Sequence, residues 1–219
     1  IPNTAILRTL LYASDGACIE ITDFCPFFTM YGRTHHPWAI YRQIRPIKGM
    51  ARVTVRLRPT HTYCSDVPAQ THGSNHIRYL MPSEVLRCTT DIPVAFVLNE
   101  VPFLMDSVRT MVLGPDEPLS KSPEDMFRDF FSKTKEDWCS YARLLSIPLD
   151  YQQEVLRAAI TLRLCQLHDS GAIIAALTTS IPEYADSGRN WDYRFCWLRD
   201  AYFVVSALNR LGATEVMEK

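Results

Sequence analysis

Proline placement constrains this chain more than any other feature. Twelve of the 14 prolines lie at or before Pro123, and only Pro148 and Pro182 follow. Proline has no backbone N–H and its ring clashes with the preceding helical turn, so it is excluded from helix interiors. The asymmetry predicts a change of architecture near residue 123. The run Gly114-Pro115-Asp116-Glu117-Pro118-Leu119-Ser120-Lys121-Ser122 reads as the linker between the two parts.

The first part has the pattern of antiparallel sheet. Ala51 to Arg58 alternates, with Ala51, Val53, Val55 and Leu57 on one face and Arg52, Thr54, Arg56 and Arg58 on the other. The arginine row reads as the solvated face that an antiparallel sheet normally shows. Lys48-Gly49 is placed like a hairpin turn between this run and Trp38–Ile47. Asp15-Gly16 is placed likewise between Thr4–Tyr12 and Ala17–Thr22, and Asp-Gly favours the type I′ turn. Val85–Thr90, Val94–Leu98 and Ser107–Leu113 are further strand candidates. Strands at this spacing predict a sandwich.

The second part has helical spacing. Ser122-Pro123-Glu124-Asp125 supplies a cap, a first-turn proline and acidic residues for a helix start. Phe127, Phe130, Phe131, Trp138, Tyr141, Ala142 and Leu145 then recur along one face. Asp150 is placed to cap a second helix with Gln153 at its third position. That helix, running through Val155, Leu156, Ile160, Leu164 and Leu167, is apolar over much of its circumference and is expected to be buried, with Gly171 as its terminator. A third helix is expected from about Asp200 to Gly212, and Thr214-Glu215 looks like the cap of a fourth. A chain that stops as a helix starts is expected to be part of a longer one.

With 219 residues, 47% of them hydrophobic, the chain can bury a real core. The 23 basic and 24 acidic residues leave a formal net charge of −1, which argues against a basic nucleic-acid binder. No apolar run reaches the 18 or more residues a membrane helix needs. The expected partners therefore include neither nucleic acid nor membrane. Seven cysteines at irregular spacing and the absence of an Asn-x-Ser/Thr sequon lean towards a reducing, cytoplasmic setting. His61, Cys64, His72 and His76 have ligand chemistry, but their spacing fits no compact zinc finger, so no metal and no cofactor are expected.

Residues 171–200 differ from the rest. Arg189, Asn190, Trp191, Asp192, Tyr193, Arg194, Trp197, Arg199 and Asp200 fall within 12 positions. Indoles, a phenol, guanidiniums and carboxylates at such density are costly to bury as mere packing. They suit a sugar: flat aromatic faces cover the C–H side of a pyranose, while Arg and Asp bond its hydroxyl rim. The residues alone leave a structural Arg–Asp pair with core aromatics equally open.

The run Arg189-Asn190-Trp191-Asp192-Tyr193-Arg194-Phe195-Cys196-Trp197-Leu198-Arg199-Asp200-Ala201 closely resembles the signature of glycoside hydrolase family 15, the glucoamylase, glucodextranase and trehalase-like enzymes. Thr178-Thr179-Ser180-Ile181-Pro182-Glu183 resembles a second motif of that family, and Asn3–Leu7 with Ile21–Phe24 resembles its amino-terminal sandwich. The resemblance implies an α+β multidomain chain. An antiparallel β-sandwich would occupy residues 1–113, incomplete at its start. A linker and linker helix would occupy 114–149, and the first helices of an (α/α)6 barrel 150–219.

It further implies release of glucose from α-glucosides, disaccharide or oligosaccharide, by inverting hydrolysis. By the same resemblance Arg199 and Asp200 would bind glucose hydroxyls, Trp197 would form an apolar wall, and Tyr193 would lie beside the same subsite. Arg189, Trp191, Asp192 and Glu183 would support the loop. The two catalytic glutamates of the family would lie beyond Lys219. The alternative is a non-catalytic carbohydrate-binding or regulatory module on the same fold.

Overall fold

The computed structural model describes residues 1–62 and 64–217. The chain divides into two compact units. The first comprises Ile1 and Ile6–Asp137, the second Pro2–Ala5 and Trp138–Lys219.

The first unit is built on strands β1 (Leu7–Tyr12), β2 (Cys18–Phe24), β3 (Phe28–Met30), β4 (Arg33–His35), β5 (Ile40–Lys48) and β6 (Arg52–Val53). It continues through β7 (Ala69–His72), β8 (His76–Leu80), β9 (Val85–Thr90), helix α1 (Val94–Leu98), β10 (Phe103–Leu104) and β11 (Arg109–Pro115). Helix α2 (Pro123–Leu144) begins in this unit. Seven strands form one antiparallel sheet in the order β1-β2-β5-β11-β9-β8-β7; β10 pairs with β6 and β3 with β4.

Alternation lets this sheet bury both faces. Met111 on β11 joins Ile77, Tyr79, Cys88, Ile92, Val94 and Val97 on one side. Its neighbour Val112 joins Ile6, Phe24, Tyr41 and Phe127 on the other. The first face is covered by α1, Val55, Leu57 and Phe103, the second by the start of α2. Phe24 stacks on Tyr41 at 5.6 Å and meets Phe127 edge-on at 5.2 Å. Each such side chain, fully buried, contributes roughly 1.5–3 kcal/mol. The architecture is a large antiparallel sheet with a smaller layer over it, plus helices.

Several local expectations change. Residues 51–58 keep the predicted alternation of inward and outward side chains. Only Arg52–Val53 forms ladder bonds, however, and β5 pairs with β2 and β11 rather than with β6. Lys48-Gly49 is therefore a crossover between sheets and not a hairpin turn. The Asp15-Gly16 turn joins β1 to β2, but Ala13 N–H donates to Ala17 at 2.9 Å, leaving three loop residues. Gly16 alone among them has positive φ, at 83°, as the αL residue of a three-residue hairpin requires.

Val94–Leu98 is helix instead of strand. It starts after Pro93, whose carbonyl accepts from Phe96 at 2.8 Å. Val94 and Val97, three apart, face the core. Five apolar residues are too few for periodicity to separate the two states. β7 and β8 form a hairpin in which Ala69 stands opposite Leu80 and His72 opposite Ile77. The candidate linker begins later than expected, since β11 runs to Pro115.

The second unit holds the last turns of α2, then α3 (Gln152–Leu164), α4 (Leu198–Arg210) and the short α5 (Thr214–Met217). Its core is Trp138, Tyr141, Leu145, Ala159, Ile160, Leu208, Ala213 and Val216. The Arg163 guanidinium lies 4.6 Å from the Trp138 ring and 4.5 Å from the Tyr141 ring. Ser122 caps α2, accepting from the Asp125 N–H at 3.1 Å.

Asp150 does not cap α3: Tyr151, in the left-handed region at φ 56°, holds that position without a side-chain bond. Nor is α3 buried all round. Ala159 and Ile160 are buried, whereas Leu164 is 41% exposed. The helix has one packed stripe and solvent on the rest. Gly171 closes a separate turn, donating to Leu167 at 2.8 Å, after α3 has ended. Gly212, at φ 68°, ends α4 as predicted, with Ala213 N–H returning to Leu208 at 3.0 Å.

Candidate functional site

Between α3 and α4 the chain makes a long irregular hairpin. Ala175 N–H donates to Phe195 and Ala176 N–H to Tyr193, both at 3.1 Å; Tyr193 N–H donates to Thr178 at 2.9 Å. Nearer the tip Pro182 bridges Asn190, and Glu183 N–H donates to Arg189 at 3.2 Å. The Thr178–Glu183 run thus forms one arm and the Arg189–Phe195 run the other. The two motifs, separate in sequence, are one element.

The second arm carries an aromatic group and a charged one. Tyr193, Phe195 and Trp197 form an aromatic row: the Tyr193 and Trp197 rings lie 6.5 Å apart, and Phe195 meets Trp197 edge-on at 6.0 Å. Asp192 and Arg194 form a two-pronged ion pair with bonds of 3.1 and 2.9 Å. Asp192 also accepts the Arg194 backbone N–H at 3.0 Å. The Arg194 guanidinium first, and that N–H second, hold the Asp192 carboxyl below the usual carboxylate range.

Trp197 then turns the arm into α4, occupying the N-cap without a side-chain cap bond. Asp200 falls in the first turn, where a helix favours negative charge. Arg199 donates to it at 3.2 Å. Arg199 is 77% exposed at its side chain and Asp200 35%, so both can reach a ligand. At the tip, the Trp191 indole N–H donates to Glu183 at 2.6 Å, and Arg189 lies 3.9 Å from the other Glu183 oxygen.

The description "Glycosyl hydrolases family 15" matches this region as a family, over residues 150–219. Residues 150–219 are similar to that family. Over 95% of its length the chain is 28% identical to a trehalase of Thermoplasma volcanium and 25% identical to a trehalase of Thermoplasma acidophilum. It covers 34% and 36% of those proteins, so it spans about a third of the length of these curated relatives. Over 18% of its length it is 56% identical to "Trehalase 2" of Sulfolobus acidocaldarius, 7% of that protein. No solved structure matches the chain.

Within the segment that matches this family the structure brings Tyr193 and Trp197 together, and Arg199 with Asp200. Glu183, Arg189 and Trp191 converge at the hairpin tip, and Asp192 engages Arg194. Sequence reasoning passed over Phe195, although an aromatic midway between Tyr193 and Trp197 was a signal that the three rings could group together. It also gave Arg194 no role. The arginine row at Arg52, Arg56 and Arg58 lies in the sheet region, where Arg58 and Arg56 both engage Glu100, at 2.5 and 3.5 Å. His72 and His76 sit on the β7–β8 hairpin, and His61 in a turn bridged to Asp66. Among the described residues no three His, Cys, Asp or Glu side chains converge as a metal-binding group.

Proposed function

We propose that this chain is the amino-terminal portion of an inverting glycoside hydrolase that releases glucose from an α-glucoside, with trehalose the first substrate to test. The observation that carries the reading is the exposed pairing of an aromatic row with Arg199 and Asp200, on the segment that matches the family. In the proposed subsite Trp197 and Tyr193 cover the apolar side of the terminal glucose, with Phe195 backing Trp197. Arg199 donates to its hydroxyls and Asp200 accepts from them. Arg189, Trp191, Asp192 and Glu183 hold the hairpin that carries them. Trehalase names on the relatives support the disaccharide over longer glucans. In this reading residues 114–149 link a sandwich to residues 150–219, the start of an (α/α)6 barrel.

Inversion takes one displacement. One carboxylic acid protonates the leaving oxygen while a carboxylate, about 6.5–9.5 Å away, draws a proton from the attacking water. In this reading both carboxylates come from outside residues 1–219, and the chain by itself binds without hydrolysing. The test is proton NMR of the first products formed from α,α-trehalose by the complete gene product. Inversion yields equal amounts of β-glucose, from the attacked ring, and α-glucose, from the leaving one. Early products that are all α would contradict inversion, and no glucose from trehalose or maltose would contradict the hydrolase reading in favour of a binding module.

A further inference from the structure

The 175–195 hairpin is irregular. Glu183 stands five residues after Thr178, whereas Tyr193 stands four after Arg189, yet Glu183 N–H donates to Arg189 and Tyr193 N–H to Thr178. The first arm therefore carries an extra residue between Thr178 and the Pro182–Asn190 bridge, and the segment forms no strand that would join the tip to the aromatic row.

Trp191 stands two residues before Tyr193, where the aromatic row begins. Whatever holds its indole ties the hairpin tip to the arm that carries the row. The group that holds it is Glu183, on the opposite arm: one carboxylate oxygen accepts the indole N–H at 2.6 Å, and the other faces Arg189 at 3.9 Å. Trp191 remains 51% exposed, so packing alone does not fix it.

We infer that Glu183 is a positioning residue: its carboxylate latches Trp191 and Arg189 across the hairpin and so steadies the arm on which the aromatic row and the Arg199–Asp200 pair are presented to sugar. The inference rests on the α-glucoside reading above. Glu183 touches no reacting atom in this role. Its loss weakens substrate binding more than it slows the chemical step.

The test compares Glu183→Ala and Glu183→Gln in the complete gene product. Three readings are taken: the indole N–H resonance of Trp191 (assigned with Trp191→Phe), steady-state kinetics on trehalose, and the melting temperature. In Glu183→Ala the indole resonance moves upfield, KM rises about tenfold, as expected for losing one partly exposed hydrogen bond to a charged group, and kcat changes little. The melting temperature holds, because the latch lies at an exposed tip. Glu183→Gln, whose amide oxygen still accepts from the indole, restores the resonance and most of KM. If the resonance moves while KM stays at the wild-type value, the positioning role is wrong and the glucoside reading stands. If both variants abolish kcat equally, Glu183 acts in the chemistry and the inference fails. If the wild type releases no glucose from any α-glucoside, the underlying reading fails and takes the inference with it.

Discussion

Arg78 and Arg87 stand directly opposite each other on β8 and β9, a like-charge pairing that destabilises a sheet. Asp116 relieves it, accepting from Arg78 at 2.5 Å and lying 3.5 Å from Arg87. Hydrogen bonding from Arg78, before any other cause, holds the Asp116 carboxyl below its ordinary 3.8. A carboxyl depressed in the folded state contributes stability that is complete above the unfolded value and is lost as pH falls through the folded one. Asp116→Asn should therefore lower the melting temperature at neutral pH and flatten its decline in acid; an unchanged acid limb would contradict this. Arg199→Lys should lower kcat/KM on trehalose about tenfold, because a point ammonium cannot reproduce the guanidinium fork. Arg56→Ala, on the outer face of the sheet region, should leave both kinetic constants alone. Residue chemistry was legible where types crowd together: the density of Trp, Arg and Asp marked 189–200. The Asp116 arrangement was not legible, since it joins residues 38 and 29 positions apart.

The helices show which local signals suffice. Ser122 and Pro123 announce α2 because a cap acts through its own backbone neighbours, and Ser122→Ala should cost about 1 kcal/mol in denaturant melts. Asp150 carries the same chemistry yet does not cap α3, because Tyr151 takes the left-handed conformation and the chain enters the helix one residue later. α4 buries Leu208 completely while Tyr202 and Phe203 are 67% and 64% exposed. Leu208→Ala should cost about 2–5 kcal/mol through lost burial and the cavity left behind. Equal loss from Phe203→Ala would mean that the faces of α4 are misassigned. Strands β7, β8 and β9 divide the same way. β9 was readable from its β-branched and apolar run. The β7–β8 hairpin was not, because His, Gln, Arg and Thr hide an alternation in which only Ile77 and Tyr79 are buried.

For the whole chain, the proline boundary located the change from sheet to helix, and a large antiparallel sheet followed by helices is what the structure has. Sequence pattern could not show that the sheet buries both faces, because that depends on which distant segments cover it. The exposed apolar side chains Leu198, Tyr202 and Phe203 form a consequence at this scale. Contiguous apolar surface promotes association. The isolated 219-residue chain should sediment as concentration-dependent oligomers, and replacing these three by serine should reduce that; a monomer at all concentrations would contradict it. The proposal that residues 193–200 hold the terminal glucose of an α-glucoside is tested by steady-state glucose release from trehalose by the complete gene product carrying Asp200→Asn. A carboxylate accepts from two hydroxyls, whereas the neutral amide accepts through one oxygen, and bonds that tighten towards the transition state are lost from kcat as well as KM. Asp200→Asn should lower kcat/KM by at least about a hundredfold with an unchanged melting temperature. Wild-type kcat/KM, or activity lost only through unfolding, would contradict it and leave Arg199–Asp200 as a structural ion pair.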